Sequence, residues 1–247
     1  MNDNTFEIDN DVFTKLSRIQ LELMADAGAR IIECYRVLQK GGLNIVGEVL
    51  KGQGAFYELA HYPKDDVFDG ETNSQYYYHA HRAETSENGH FHTFLRQPGM
   101  PPGLLPVPYD GAESWPEGRD SLSHLIGISM DAYGFPLGLF ATNRWVTAEA
   151  WYKAEDVIAM LDHFRIDHAY PSWPVNLWIS AMLVLFRPQI EALVRQRDQV
   201  IADWKREHTG VDVYEDRELE ITGYTPINVE QQIRHVVAAI GKHDMSA

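Results

Sequence analysis

Two His-x-His pairs are the residues of this chain whose type and spacing best fit a chemical site. His79 and His81 precede the eight-residue segment RAETSENG, and His90 and His92 follow it. Neutral imidazole is the commonest protein metal ligand. Several imidazoles packed together without an ion would leave ring nitrogens competing for few hydrogen-bond partners. The pattern therefore predicts a metal site built from these four histidines.

Both flanks of that segment have the composition of β-strands. They are rich in Tyr, Phe and Thr, whereas the segment between them holds Thr, Ser, Asn and Gly, which favour turns. Side chains two residues apart on a strand point to the same face of a sheet. Each pair of histidines therefore shares a face, and we expect a β-hairpin that carries both pairs.

The loop of this hairpin decides whether the two pairs meet. A two-residue loop, TS, would place His81 opposite His90 and His79 opposite His92, with Cβ atoms about 4.5–5.5 Å apart. A four-residue loop, TSEN, would place His81 opposite His92 and keep all four rings on one face. A type I′ turn at Asn-Gly is a strong hairpin signal, and it would separate the pairs along the ribbon. A loop with an odd number of residues would put them on opposite faces.

Other residues are candidates for the same site. In the two-residue register Tyr77 and Phe94 share the face of the histidines, where they could exclude water or stack on an organic substrate. We assign Tyr77 as a candidate catalytic residue. His61, at the end of the strand-like segment FYELAH, is a candidate fifth ligand, although an ordinary polar role at a strand end is the favoured interpretation.

A second predicted hairpin joins the segments LSHLIGISM and LGLFATNRWV through the turn AYGFP. A loop at Tyr133-Gly134 would pair His124 with Asn143 between two otherwise apolar strands. Polar residues in such strands cost free energy unless they are used or hydrogen-bonded. We therefore predict that His124 joins the site, as a fourth ligand or as a proton donor or acceptor.

The motif His79-Ala80-His81, followed by Glu84, resembles the metal-binding strand of cupins, in which His-x-His is followed a few residues later by Glu. The spacing is one residue shorter here, and Glu84 falls on the opposite face from the histidines. The chain also has more predicted helix than a jelly roll. The resemblance is confined to these residues, and membership of the family is not assigned.

Composition excludes several classes of function. The chain has 247 residues, 45% of them hydrophobic, and a formal net charge of −15, which argues against nucleic acid or an anionic membrane as a partner. The single cysteine, Cys34, excludes intramolecular disulfides and Cys-rich metal sites. The acidic N-terminus is unlike a signal peptide, and the longest apolar run, residues 177–186, is too short to span a bilayer. We expect a cytoplasmic protein.

The arrangement of predicted elements indicates a single α+β domain over residues 1–247. Residues 1–42 form a helical segment, 55–146 a β-rich core and 147–247 a mainly helical part. We predict a small antiparallel β-sheet, made of two hairpins plus edge strands and packed against the N- and C-terminal helices. The acidic stretch 64–73 is interpreted as a solvated loop, and the Pro-rich loop 97–118 as a candidate lid or a surface connection.

An all-nitrogen ligand set suits Fe(II), Cu, Zn or Ni rather than Mg or Ca. Structural zinc sites generally use Cys, so a histidine site favours chemistry. We therefore predict a metal-dependent enzyme with a divalent transition metal, Fe(II) favoured and Cu or Zn as alternatives. The favoured reaction class is a non-haem iron oxygenase or oxidase acting on a small organic substrate. The alternatives are a zinc-dependent hydrolase, a non-catalytic metal- or small-molecule-binding protein, and a homodimer formed through the apolar helix at 175–186.

Overall fold

A six-stranded antiparallel sheet forms the centre of the fold. The computed structural model describes residues 5, 6, 8–80, 87–111 and 113–246. The spatial order of the strands is their order in the chain, so the sheet is a meander and not the two Greek keys of a jelly roll. The strands are β1 Tyr62–Phe68, β2 Ser74–His79, β3 Gly89–Arg96, β4 Leu122–Met130, β5 Pro136–Thr142 and β6 Ile221–Pro226.

Seven α-helices accompany the sheet in the described part of the chain, and the predicted α+β class is confirmed. The helices are α1 Arg18–Lys40, α2 Ile45–Leu50, α3 Arg144–Thr147, α4 Ala154–Met160, α5 Trp173–Leu185, α6 Arg187–Glu207 and α7 Val229–Ser246. None of these helices is by itself long and apolar enough to cross a membrane. Helices α5 and α6 reach that length and composition only together, with a bend of 72° between them.

The N-terminal helix begins later than the sequence pattern predicted. Asp9 caps only a 3-10 helix, Asn10–Lys15. Ser17 then starts α1 with a capping box, in which Ser17 and Gln20 exchange side-chain to backbone hydrogen bonds. Because this second cap satisfies the first N–H groups of α1, the two helices are separate elements. The apolar stripe of α1, which includes Ile31, packs against α5 and α7.

One face of the sheet packs on the apolar helix α5. Tyr76 and Tyr78 of β2 and Phe91 of β3 point to this face and are fully buried. Phe91 lies 5.8 Å from Trp178 of α5, measured between ring centroids. The Tyr76 hydroxyl donates to Asn176 Oδ1 at 2.6 Å, which satisfies a polar group inside the core.

The acidic stretch 64–73 is not a solvated loop throughout, because β1 covers its first half. The predicted strand FYELAH is instead irregular, and the true strand begins at Tyr62. β1 is an edge strand, where Pro63 and outward charges are tolerated. Asp69 follows β1, is buried, and accepts from the backbone N–H groups of Glu71 and Thr72.

The register of the first hairpin differs from every register considered from the sequence. His79 lies opposite His90, and Tyr77 lies opposite His92. This register is shifted by two residues from the tightest predicted one, so side chains keep their faces and the histidines stay on one side. The predicted pairs His81–His90 and His79–His92 are wrong. His81 lies in residues 81–86, outside the described part of the chain.

In the second hairpin Ile128 pairs with Leu139, which is the register that the predicted loop at Tyr133-Gly134 requires. The predicted pair His124–Asn143 is wrong, because β5 ends at Thr142 and Asn143 caps α3. The Asn143 side chain accepts from the Arg144 backbone N–H and donates to a distant backbone carbonyl. Asn143, which the strand pattern had assigned to the sheet, is therefore the N-cap of a helix.

A glycine in β4 makes room for an aromatic ring on the histidine face. Gly127 lies between His92 of β3 and Phe140 of β5 in the strand pairing. A Cβ atom at Gly127 would stand 2.3 Å from Phe140 Cζ, so the ring lies directly over the glycine. The Phe140 centroid is 5.1 Å from that of His90 and 5.5 Å from that of His92. Gly127 therefore allows β5 to pack on the histidines of β3.

We expect Gly127→Ala to destabilise the protein by about 1–3 kcal/mol, because the new methyl group overpacks the Phe140 ring. Urea unfolding measures the change. The control is Gly241→Ala in α7, where a Cβ atom has open space. That variant should be neutral or more stable by up to about 1 kcal/mol, because Ala favours helix. Equal stability of Gly127→Ala and wild type would contradict the packing described here.

Candidate metal centre

Three histidines of the hairpin form a group that could hold a metal ion. His79 ends β2, and His90 and His92 lie on β3; one ring nitrogen from each lies within 4.8 Å of the other two. All three side chains are buried, with exposed fractions of 8%, 0% and 0%. Strand alternation places them on one face, and the hairpin register brings His79 against His90.

The nitrogens of His79 and His90 face each other. Their Nε2 atoms are 2.7 Å apart, and the rings are nearly perpendicular, with an interplanar angle of 87°. Metal–imidazole bonds are about 2.0–2.1 Å long, so two nitrogens on one ion stand about 3 Å apart. The observed separation is close to that value. The donor set is neutral and all nitrogen, which fits a first-row transition metal and does not fit Mg or Ca.

A buried carboxylate orients His90. His90 Nδ1 lies 2.5 Å from Glu87 Oε1, and the Ser129 hydroxyl donates to Glu87 Oε2, also at 2.5 Å. An ionised carboxylate only accepts hydrogen bonds, so an ionised Glu87 places a proton on His90 Nδ1, and a neutral His90 then carries its lone pair on Nε2. That lone pair points at His79. Carboxylate–histidine pairs of this kind set the tautomer and raise the basicity of metal-binding histidines.

A second contact orients His92. Its Nδ1 lies 3.0 Å from Nε2 of His124, a residue of β4. Burial, assisted by the nearby Arg197 guanidinium, lowers the pKa of His124 to about 3. His124 is therefore neutral, and its Nε2 can accept a hydrogen bond from the His92 Nδ1–H, which leaves His92 Nε2 as the ligand atom. In this arrangement His124 positions a ligand.

His124 reaches the site through a β-bulge. Thr93 pairs with Ile126, but Phe94 pairs with His124, so β4 holds one extra residue at this point. The extra residue, Leu125, turns His124 onto the histidine face. The backbone N–H of His124 donates to the Glu149 side chain at 2.6 Å.

Glu149 is fully buried behind the bulge. Its carboxyl group also accepts from the hydroxyls of Ser123, at 3.4 Å, and Thr147, at 3.1 Å. Burial raises the pKa of Glu149 to about 7, although Arg197 and these hydrogen bonds act in the opposite direction. The bulge that supports His92 thus depends on a carboxyl group that titrates near neutrality.

Aromatic rings enclose the three histidines. Tyr77 lies 5.2 Å from His92 and 5.3 Å from His79, and Phe140 covers the opposite side, all measured between ring centroids. Phe94 stacks on Tyr77 at 5.5 Å. Burial raises the pKa of Tyr77, so its hydroxyl stays protonated at neutral pH. Among the described residues, these rings cover the histidines with apolar surface.

The structure brings together most of the residues singled out from the sequence. His79, His90 and His92 form the group. His124 contacts His92, and the Tyr77 ring contacts the rings of His79 and His92. His61 is outside the group, because its Nδ1 binds Asp66 and its ring stacks on Tyr77. The Pro-rich loop contacts Trp151 and Tyr214 of the C-terminal part; within the described residues, its ring and hydrogen-bond contacts do not include the histidines.

Two residues of the site were not found from the sequence. Glu87 stands three residues before His90, and that spacing is a signal that could have indicated an orienting carboxylate. Glu149 lies in a loop after β5 and reaches His124 only through the fold. Its sequence surroundings carry no signal for this contact.

Glu149→Gln should change how stability depends on pH. The folded protein holds the Glu149 proton up to about pH 7, whereas an ordinary carboxyl with pKa 4.5 releases it earlier. The wild-type free energy of unfolding should therefore fall as pH rises from about 4.5 to 7, by about 3 kcal/mol relative to Glu149→Gln. Urea unfolding across this range measures it. Glu113→Gln, an exposed change, should keep the wild-type slope; parallel curves for wild type and Glu149→Gln would contradict the expectation.

Comparisons with known proteins identify a family. Neither the curated proteins nor the solved structures yield a similar chain. The model of one family matches residues 25–227, a span that includes all six strands and every residue of the candidate metal centre. The chain belongs to this family, which is described as a domain of unknown function, DUF6969.

Proposed function

We propose that the protein is a metal-dependent enzyme and that its metal is held by His79, His90 and His92. The observation that carries the proposal is the convergence of three buried ring nitrogens within 4.8 Å. The hydrogen bond from His90 Nδ1 to Glu87 supports it, because it points the Nε2 lone pair of His90 into the group. Surface histidines need neither burial nor such orientation.

The favoured class is a non-haem iron oxygenase or oxidase acting on a small organic substrate. Three neutral imidazoles suit Fe(II), and an ion with three protein ligands keeps positions open for reactants. When bound, Fe(II) would supply the activation of dioxygen. The apolar walls formed by Tyr77, Phe94 and Phe140 favour this class over hydrolysis, because hydrolysis needs water at the ion.

The chain's own residues would carry out the remaining tasks. Glu87 would keep the His90 proton on Nδ1, and His124 would accept a hydrogen bond from the His92 Nδ1–H. Both contacts hold the ligand nitrogens toward the ion. The Tyr77 phenol, protonated and next to His79 and His92, is placed to donate a hydrogen bond or a proton to a bound reactant.

A zinc-dependent hydrolase is the second candidate. Three histidines are also a ligand set of zinc sites that activate water. The metal's identity discriminates the two candidates. A non-catalytic binding protein would carry the metal but turn over no substrate.

We expect protein purified without a His tag to contain nearly one equivalent of iron, copper or zinc. The double variant His79→Ala/His92→Ala should lose the metal, because His90, the one ligand that remains, cannot hold the ion alone. Elemental analysis measures the content, and circular dichroism checks that the variant is folded. His163→Ala, an exposed histidine outside the group, is the control and should keep its metal.

The proposal fails if wild type and double variant are both free of metal and added Fe(II), Cu or Zn leaves the melting temperature unchanged. A ligand that binds only the folded state raises that temperature by mass action. Iron or copper in the wild type would support oxygen chemistry, and zinc would support hydrolysis.

Glu87→Gln should weaken metal binding about 10- to 100-fold, because loss of this contact leaves His90 less basic and less well oriented. Competition with a chromophoric chelator measures the affinity. Glu113→Gln, an exposed change of the same chemistry, should bind as wild type does. An unchanged affinity in Glu87→Gln would show that the carboxylate plays no part in holding the ion.

A further inference from the structure

The ring of His61 is exposed to solvent and stacks on Tyr77, beside the buried histidines. Its side chain is 41% exposed, whereas Tyr77 beneath it is 6% exposed. His61 stacks face to face on Tyr77, with ring centroids 3.6 Å apart and an interplanar angle of 9°. The centroid of the His79 ring lies 5.8 Å from that of His61, with the two rings nearly perpendicular. His61 thus covers one face of Tyr77 on the solvent side and lies close to His79.

His61 is held at this place by weak contacts. Its Nδ1 lies 2.9 Å from Asp66 Oδ1, in a pair that is partly open to solvent and therefore contributes little to stability. The other oxygen of Asp66 accepts from Gln75 Nε2 at 2.6 Å, so the carboxylate stays in place when His61 leaves. The imidazole can be displaced without breaking the sheet.

We propose that His61 occupies the place of a substrate ring. In this inference, which rests on the proposed function, the substrate is an aromatic molecule bearing an O–H or N–H donor. Its ring replaces His61 on the face of Tyr77, and its donor group binds Asp66. His61 then swings toward solvent, and the substrate lies next to His79 of the metal group.

The chemistry of the place supports this class of substrate. The Tyr77 ring offers a flat apolar surface, which suits an aromatic ring better than a saturated one. Asp66 is a hydrogen-bond acceptor on the same side, because it already binds the N–H of an aromatic ring. Just before His61 in the chain, the side chains of Phe56, Tyr57 and Leu59 are large, apolar and exposed.

The segment that carries His61 is attached to the hairpin by its backbone. The Leu59 N–H donates to the carbonyl of Ala80, next to His79, at 3.0 Å. The Tyr57 N–H donates to the Tyr62 hydroxyl at 2.6 Å. These bonds keep the segment at the end of β2 while the His61 side chain moves, so the movement required is a rotation of one side chain.

The test is binding of phenol by calorimetry to wild type, His61→Ala and the control His163→Ala. His61→Ala should bind phenol at least tenfold more tightly than the other two, because no internal ring competes for Tyr77. Cyclohexanol, which has the donor but no aromatic ring, should bind His61→Ala at least tenfold more weakly than phenol does. Equal phenol affinity in all three proteins, or equal affinity for phenol and cyclohexanol, would overturn the proposal.

A second variant tests the donor group. His61→Ala/Asp66→Asn should lose most of the preference for phenol over benzene, because the amide is a weaker acceptor than the carboxylate. Retention of the full preference would overturn the assignment of Asp66. Both calorimetric tests work on protein without metal, so their results are distinct from a failure of the metal proposal.

The metal-loaded protein gives a third readout. A chelator should remove the ion at least fivefold faster from His61→Ala than from wild type or His163→Ala, because the missing ring opens the path to His79. Equal rates of metal removal in all three proteins would contradict the proposal that the His61 ring restricts access to His79. If no protein takes up metal, the proposed function fails while the phenol experiment still decides the inference about the ring site.

Discussion

The Glu87 carboxylate holds the candidate site together. It accepts from His90 Nδ1 and from the Ser129 hydroxyl, and so joins β3 to β4 on the histidine face. A buried carboxylate without such donors would be strongly destabilising. Because both of its oxygens have donors, the charge is tolerated, and it sets the proton on one side of His90. The direction of the His90 lone pair depends on this contact, and so does the ability of the three histidines to bind a cation.

On the opposite side of the group, His92 is oriented by a different kind of contact. His92 is held by His124, which is kept neutral by burial, and the backbone of His124 is held by Glu149. One histidine is thus supported by a charge and the other by a neutral ring on a bulge. These two supports place a hydrogen on Nδ1 of His90 and of His92, so that the Nε2 lone pair of each can face the group. A bound cation requires lone pairs that point toward it, whereas a cluster of histidines held together only by hydrogen bonds does not.

Period-two alternation was enough to place His79, His90 and His92 on one face, because that property survives any even shift in register. The register itself was not predictable, since it depends on residues between the strands whose turn signals conflict. His124 was expected at the site for the wrong reason: pairing with Asn143 does not occur, and a bulge brings it there. Alternation arguments cannot foresee a bulge, because one extra residue reverses the faces beyond it.

The meander also orders events during synthesis. Strands β2 to β5, which carry the site face, lie close together in the chain, and each pairs with its neighbour. Strand β6 is different, because it joins β5 only after helices α3 to α6 have been made. Local contacts form faster than distant ones, and domains fold as the chain emerges. The histidine group can therefore assemble on a nascent hairpin that is still open on one side, and the late helices and β6 close around it.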